Sequence, residues 1–302
     1  MLLPVKVSAI EDGIRLSRWL ARHYPGVNMI MARKACKSGE VRINSRRCTE
    51  KDVLKTGDIV RIPPFIANAT VPRPKAAGGS RFSLADLEQL RQCIIHKDSD
   101  IIAFNKTAGL ATQGGGNVKK SLDKMAAALL PNDVVLAVHR LDKETSGVIV
   151  FALTQIAAQK LSRAFQARET EKEYIAVLAG HVQPDAGVIE EPIDGKKAVT
   201  EFEVLGRLRG TLSVVRFTPK TGRKHQLRKH AAFALDAPIV GDDLYGTRHS
   251  YGGLETILQT GKLHLFAAKL IFSHPRTGKR TTIVATMPDW MARALKLLEI
   301  EC

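Results

Sequence analysis

The residues best placed to do chemistry lie in His139-Arg140-Leu141-Asp142-Lys143-Glu144-Thr145-Ser146-Gly147, which runs straight into the apolar Val148-Ile149-Val150-Phe151. Asp142 stands between cationic neighbours and a Thr-Ser-Gly turn, at the entrance to an expected strand. Adjacent cations and small hydrogen-bonding groups keep a carboxylate ionised. Held in that form and in one place, it can attack carbon or take a proton. The competing reading is an Asx turn, in which Asp142 only bonds nearby backbone N–H groups.

Three further strings bear on that choice. They are Lys172-Glu173-Tyr174, the run Thr221-Gly222-Arg223-Lys224-His225-Gln226-Leu227-Arg228-Lys229-His230, and Pro238-Ile239-Val240-Gly241-Asp242-Asp243-Leu244-Tyr245-Gly246. With the Asp142 segment, and in the same order, they resemble the motif set of the RluA family of pseudouridine synthases, from about Ile101 to about Pro288. The likeness is closest to the RluC-like, ribosomal branch.

The resemblance implies roles for particular residues. Asp142 is the catalytic carboxylate, attacking the anomeric carbon of the ribose or removing a neighbouring ribose proton. Arg228 pairs with Asp142 and fixes its orientation. Tyr174 lies against the target base and could assist proton removal at carbon 5, although a phenol with an ordinary pKa near ~10 is a poor base. Arg140 faces the RNA, filling the place of an everted nucleotide or holding its phosphate. Arg223 contacts phosphate or substrate. The reaction uses no cofactor, metal or nucleotide.

Other candidates read as structural. His139 beside a turn is expected to be a hydrogen-bonded structural residue. His225 and His230 are five apart, which does not suit a same-face metal pair on a helix. Gly114-Gly115-Gly116 lacks the Gly-Lys-Ser or Gly-Lys-Thr of a phosphate loop and reads as a surface loop. Lys106 and Gly109 match part of the family's Asn-Lys-Pro-x-Gly segment, with Thr107 in place of proline.

The elements that must position these groups divide the chain in three: a small domain over 10–62, a linker over 63–81, and a catalytic domain over 82–302. In the first, Ile14, Leu16, Trp19 and Leu20 follow helical spacing, and a second helix spans about Met29 to Lys37. Strands follow at Glu40 to Asn44 and Ile59 to Ile62. This segment resembles the small RNA-binding fold of ribosomal protein S-four, with Arg33, Lys34, Lys37 and Arg42 on a face able to meet RNA phosphates. Prolines and glycines between Pro63 and Arg81 mark the linker.

In the large domain we expect strands at Ile101 to Phe104, Val148 to Leu153, Tyr174 to Leu178, Glu201 to Leu205, Thr211 to Phe217, Leu263 to Phe272 and Thr282 to Ala285. Helices are expected from Thr154 to about Arg168 and from Pro288 to Leu298. Strands that follow one another without helices predict an α+β fold with a large mixed, mostly antiparallel sheet flanked by helices.

Composition agrees with a nucleic-acid partner. The 302 residues carry 46 Lys plus Arg against 30 Asp plus Glu, a net charge of +16. That is the footprint of a polyanion-binding protein. No apolar run has the length of a membrane span, and the N-terminus lacks the features of a secretion signal. Four cysteines, Cys36, Cys48, Cys93 and Cys302, show no paired spacing, which fits a reducing cytoplasm.

The expected function is isomerisation of specific uridines in RNA, foremost 23S ribosomal RNA and at more than one position, by a monomeric enzyme. Transfer RNA is the alternative substrate. A non-catalytic ribosome-assembly factor is the alternative function. A carboxylate nuclease would need clustered acidic metal ligands, which the sequence does not offer.

Overall fold

Helical and alternating apolar spacings build most of the elements they predict, although the strand expected over Glu40 to Asn44 shrinks to Arg42–Ile43. In a computed structural model, the described residues are 3–24, 27, 29–68, 82–114, 120–208, 210–246, 258 and 261–297. The chain forms two compact units, Met1–Gly79 and Ser80–Cys302.

The first unit contains β1 (Leu3–Lys6), α1 (Leu16–His23), α2 (Met29–Lys37), β2 (Arg42–Ile43), β3 (Arg46–Arg47), β4 (Ile59–Ile62) and the single turn α3 (Pro64–Ala67). Leu16, Trp19 and Leu20 on α1 and Ala32, Ala35 and Cys36 on α2 are buried together against Val60 and Ile62 of β4. On β4 these alternate with the exposed Ile59 and Arg61, as period-two spacing demands.

The unit begins earlier than residue 10. Leu3, Pro4, Val5 and Lys6 pair antiparallel with Ile62, Arg61, Val60 and Ile59. β1 lies at the edge of the sheet order β1-β4-β2-β3, where a proline is tolerated. The expected linker also starts too early, because Ile66 is fully buried in this unit's core. Residues 69–81 of that linker, and Gly115 and Gly116 of the glycine loop, lie outside the described residues.

The second unit is an α+β arrangement around a ten-stranded sheet. Its elements are α4 (Leu84–Gln92), β5 (Ile94–Lys97), β6 (Ile101–Lys106), α5 (Leu122–Leu129), β7 (Leu136–Ala137), β8 (Ser146–Ala152), α6 (Gln155–Ala167), β9 (Glu171–Ala179), β10 (Ala186–Ile189), β11 (Thr200–Leu208), β12 (Leu212–Pro219), α7 (Gln226–Lys229), β13 (Leu265–Ser273), β14 (Arg280–Val284) and α8 (Asp289–Leu297). Strands run in the order β10-β11-β12-β9-β13-β8-β6-β5, with β14 on β13 and β7 on β8.

Every residue of β8 is buried, and its alternation serves both faces of the sheet. Val148 and Val150 join a core with Ala157 and Leu161 of α6 and Met291 and Leu295 of α8. Ile149 and Phe151 join another with Leu90 of α4 and Leu122 and Met125 of α5. Thr154 caps α6 through its side chain, which accepts from the N–H of Ala157.

Among the described strand pairs only β8 and β13 are parallel, with Ser146 opposite Phe266 and Gly147 opposite Ala267. Gly147 makes that approach possible. Its φ is +112°, and a Cβ there would fall within 2.7 Å of the Ala267 carbonyl carbon and nitrogen. The Thr-Ser-Gly turn therefore locks the start of β8, and the loop before it, onto the centre of the sheet.

Candidate active site

Asp142 sits one turn before β8, and its main chain is clamped on both sides. Upstream, the Oγ1 of buried Thr112 accepts from the Leu141 N–H (3.1 Å) and donates to the Leu141 carbonyl (2.8 Å). Downstream, the Lys143 carbonyl accepts from Lys106 Nζ (3.0 Å) and from the Gly109 N–H (2.9 Å). The Asp142 carbonyl accepts from the Thr145 N–H at 3.2 Å, which closes the turn. The side chain stays about a quarter exposed and free of these bonds.

Lys106, at the end of β6, is 1% exposed and donates to the carbonyls of Thr107, Leu110 and Lys143 at 2.9–3.0 Å. Burial pushes its ammonium down to about 7, with the charges of Glu144 and then Asp142 opposing. The unfolded chain holds this proton to about 10.4. The cost of the buried charge is therefore present in full below pH 7 and fades as pH rises toward 10. Urea denaturation at pH 6, 7.5 and 9 should show the parent gaining stability with pH relative to Lys106→Met. The variant itself should lose about 2 kcal/mol at pH 7, because three carbonyls lose their donor.

The carboxylate faces a cleft of about 880 Å³ lined by Arg140, Asp142, Tyr174, the loop from Thr221 to His225, and Arg228. Seven lysine and arginine side chains line it, with Asp142 as the sole carboxylate among the described lining residues. That imbalance suits a polyanion entering along the cleft. Arg140 is exposed there. Arg223 also lines the cleft, with Nε donating to the Lys197 carbonyl (2.9 Å) and its backbone N–H to Gln226 Oε1 (3.0 Å).

Tyr174 reaches the cleft from β9. Burial first, and the charge of Asp142 second, push its phenol up, away from the range in which it would accept a proton. Its flat ring, not its basicity, is what it offers a base.

The expected pairing of Arg228 with Asp142 does not occur. Arg228 Nε and one Nη donate to the two oxygens of Asp242 at 2.7 and 2.5 Å, a bidentate fork between almost completely buried groups. Asp242 Oδ1 also accepts the N–H groups of Leu244 (3.0 Å) and Tyr245 (3.1 Å). A guanidinium so committed fixes the turn from Asp242 to Tyr245 and leaves Asp142 without a bidentate partner.

His225 faces Asp142 instead, with Nε2 3.9 Å from Oδ1 and Nδ1 3.0 Å from the Tyr245 hydroxyl. His139 is structural, as its position suggested. Its Nε2 accepts the Val150 N–H (3.0 Å), its ring stacks on Phe165, and burial pushes it down to about 3. His230 is held by Thr200 and the Glu191 carbonyl.

The sequence did not single out Thr112 or Asp242, nor the position of His225 beside Asp142. Asp242 and His225 lie inside the quoted motifs, so their blocks were visible although their partners were not. Arg33, Lys34 and Arg42 belong to the first unit. Arg33 and Lys34 are exposed on α2, Arg33 sharing an ion pair with Glu50 (3.0 Å). Arg42 is half-buried and donates to the carbonyls of Gly39 and Ser45, so it braces a hairpin as well as carrying charge.

Among the described residues, Asp98, Asp100 and His274 bring potential metal ligands within 4.8 Å of one another. Protein groups already engage them, Asp98 through His96 and His274 and Asp100 through Arg276, and none lines the cleft.

The chain is similar to proteins of one known family. Residues 100–233 match the family model described as RNA pseudouridylate synthase. The ribosomal large subunit pseudouridine synthase C of Escherichia coli is 33% identical over 97% of this chain and 96% of its own length. Its namesake from Vibrio cholerae is 28% identical over 94% of this chain and 92% of its own. The solved structure of human RNA pseudouridylate synthase domain containing 4 covers 72% of this chain and 96% of its own, with 29% identity and a TM-score of 0.61. With its Asp142 turn, its Thr221-to-His230 block and near full-length likeness to these relatives, the chain belongs to the RluA-type pseudouridine synthase family.

Proposed function

We propose that the protein converts specific uridines of large-subunit ribosomal RNA to pseudouridine, with Asp142 as the catalytic carboxylate. The observation that carries this reading is a carboxylate clamped through both neighbouring residues and presented to a cationic cleft. The reaction breaks the bond between ribose carbon 1 and N1 of uracil, turns the base and joins carbon 5 to the ribose. The proton leaves carbon 5 and N1 ends protonated. Attack on the sugar and removal of a ribose proton both need Asp142 anionic. The flat face of Tyr174 supports the detached base, while Arg140 and Arg223 hold the phosphates of an everted nucleotide.

The likeness to relatives named for the large ribosomal subunit supports that substrate over transfer RNA. In a bacterium, work on ribosomal RNA takes place in the cytoplasm. The first unit we read as an RNA-binding domain of the ribosomal protein S-four type. The exposed Arg33, Lys34 and Lys37 on α2, above a separate apolar core, support that role.

Pseudouridine mapping of ribosomal and transfer RNA, with and without the protein, tests the substrate. Large-subunit uridines should lose the modification when it is absent; loss confined to transfer RNA would overturn the assignment. For the first unit, replacing Arg33 and Lys34 together by alanine should lower the slope of log affinity against log salt by roughly 1.5. An unchanged slope would remove these residues from the RNA interface.

A further inference from the structure

Building on the proposed role of Asp142, we infer that His225 is a positioning residue for its carboxylate, presenting a neutral N–H to it while Tyr245 fixes the tautomer. The Tyr245 hydroxyl lies 3.0 Å from Nδ1, and donation from it leaves the ring proton on Nε2, the atom facing Asp142 Oδ1 at 3.9 Å. Tyr245 is itself fixed. Its N–H donates to Asp242, and its ring lies under the Arg228 guanidinium, 5.3 Å from the centroid. The buried Arg228–Asp242 fork thus holds Tyr245, which orients His225, which faces Asp142.

The backbone supports the same role. His225 has φ +53°, in the left-handed region where few non-glycine residues sit, immediately before α7. Such strain persists where surrounding structure enforces it, and it clusters at functional sites. Here it swings the imidazole out of the helix line and into the cleft.

The charges around the ring are consistent with a neutral imidazole. Burial pushes His225 below its ordinary value; Asp142 and Asp242 oppose this, while Arg228 and Lys224 add to it. A neutral donor orients a carboxylate without neutralising it. A full cation beside Asp142 would form an ion pair and lower its reactivity as nucleophile or base. Because Asp242 engages Arg228 in a bidentate fork, that guanidinium makes no direct bond to Asp142.

The test follows kcat and KM against pH for tritium release from uracil-labelled ribosomal RNA. His225→Phe should lower kcat roughly 10-fold, because the carboxylate loses the polar N–H that faces it at 3.9 Å, with little change in KM. His225→Gln places a non-titrating amide N–H where Nε2 stood. It should recover most of that kcat and shift the acid limb of the profile to lower pH, since no imidazolium can form opposite Asp142. Tyr245→Phe should cost less than His225→Phe and nothing further in the His225→Gln background.

An acid limb unmoved in His225→Gln, or a His225→Phe defect confined to KM, would overturn the inference. Melting temperatures of all variants separate misfolding from these effects. If the parent itself releases no tritium, the proposed function fails; if the parent is active and the His225 variants match it, only the positioning role fails.

Discussion

Asp142→Asn is expected to abolish tritium release from RNA labelled at carbon 5 of uracil, by on the order of 10⁴-fold or more, while RNA binding persists. The substitution keeps the volume of the side chain and removes its charge, and with it both the nucleophile and the base. It should spare the fold. The bonds that set this turn run to the backbone of Leu141 and Lys143 and to the Asp142 carbonyl, none of them to the carboxylate. Equal release by variant and parent would end the assignment of Asp142 as the catalytic residue and with it the reaction drawn here.

Arg228→Met should act first on stability. It strands the carboxylate of Asp242, whose side chain has no solvent exposure, beside groups that cannot replace a bidentate fork. Removing one partner of a buried ion pair costs about 3–5 kcal/mol. Arg228→Lys should recover little, because a point charge cannot reproduce two parallel N–H bonds. The double variant Arg228→Met with Asp242→Leu should regain part of the loss. It cannot regain all of it, since Asp242 also accepts the N–H groups of Leu244 and Tyr245. Urea midpoints decide the matter. An Arg228→Met protein with the parent's midpoint and no activity would show that the guanidinium serves Asp142 in solution.

The contrast between these residues marks what the sequence could and could not convey. Asp142 was legible because its whole neighbourhood is local: a turn, a glycine and a strand contiguous in the chain. The helix over 29–37 and the strand over 59–62 were legible for the same reason, their apolar spacing being a property of nine and four consecutive residues. The edge strand at Leu3–Lys6 was hidden because it is four residues long, contains Pro4 and is recognisable chiefly through its partner β4.

The partner of Arg228 was not legible. Two carboxylates, Asp142 and Asp242, are available to it, and only tertiary packing decides which one the guanidinium meets. Lys106 read as part of a turn. Nothing in Asn105-Lys106-Thr107 announces that its ammonium ends among three carbonyls, one of them adjacent to Asp142. The family resemblance names candidate residues, whereas the wiring among them is set by tertiary packing.

The parallel contact between β8 and β13 has a consequence for how the protein is made. On its β6 side Gly147 faces Lys106, but on the other side Ser146 and Gly147 find their neighbours in Phe266 and Ala267, some 120 residues downstream. On a ribosome adding about 5–20 residues per second, the first unit has all its core residues once residue 66 has emerged, whereas the Asp142 turn must wait roughly ten to forty seconds longer for its anchor. A nascent chain would therefore carry a finished first unit well before it could modify anything.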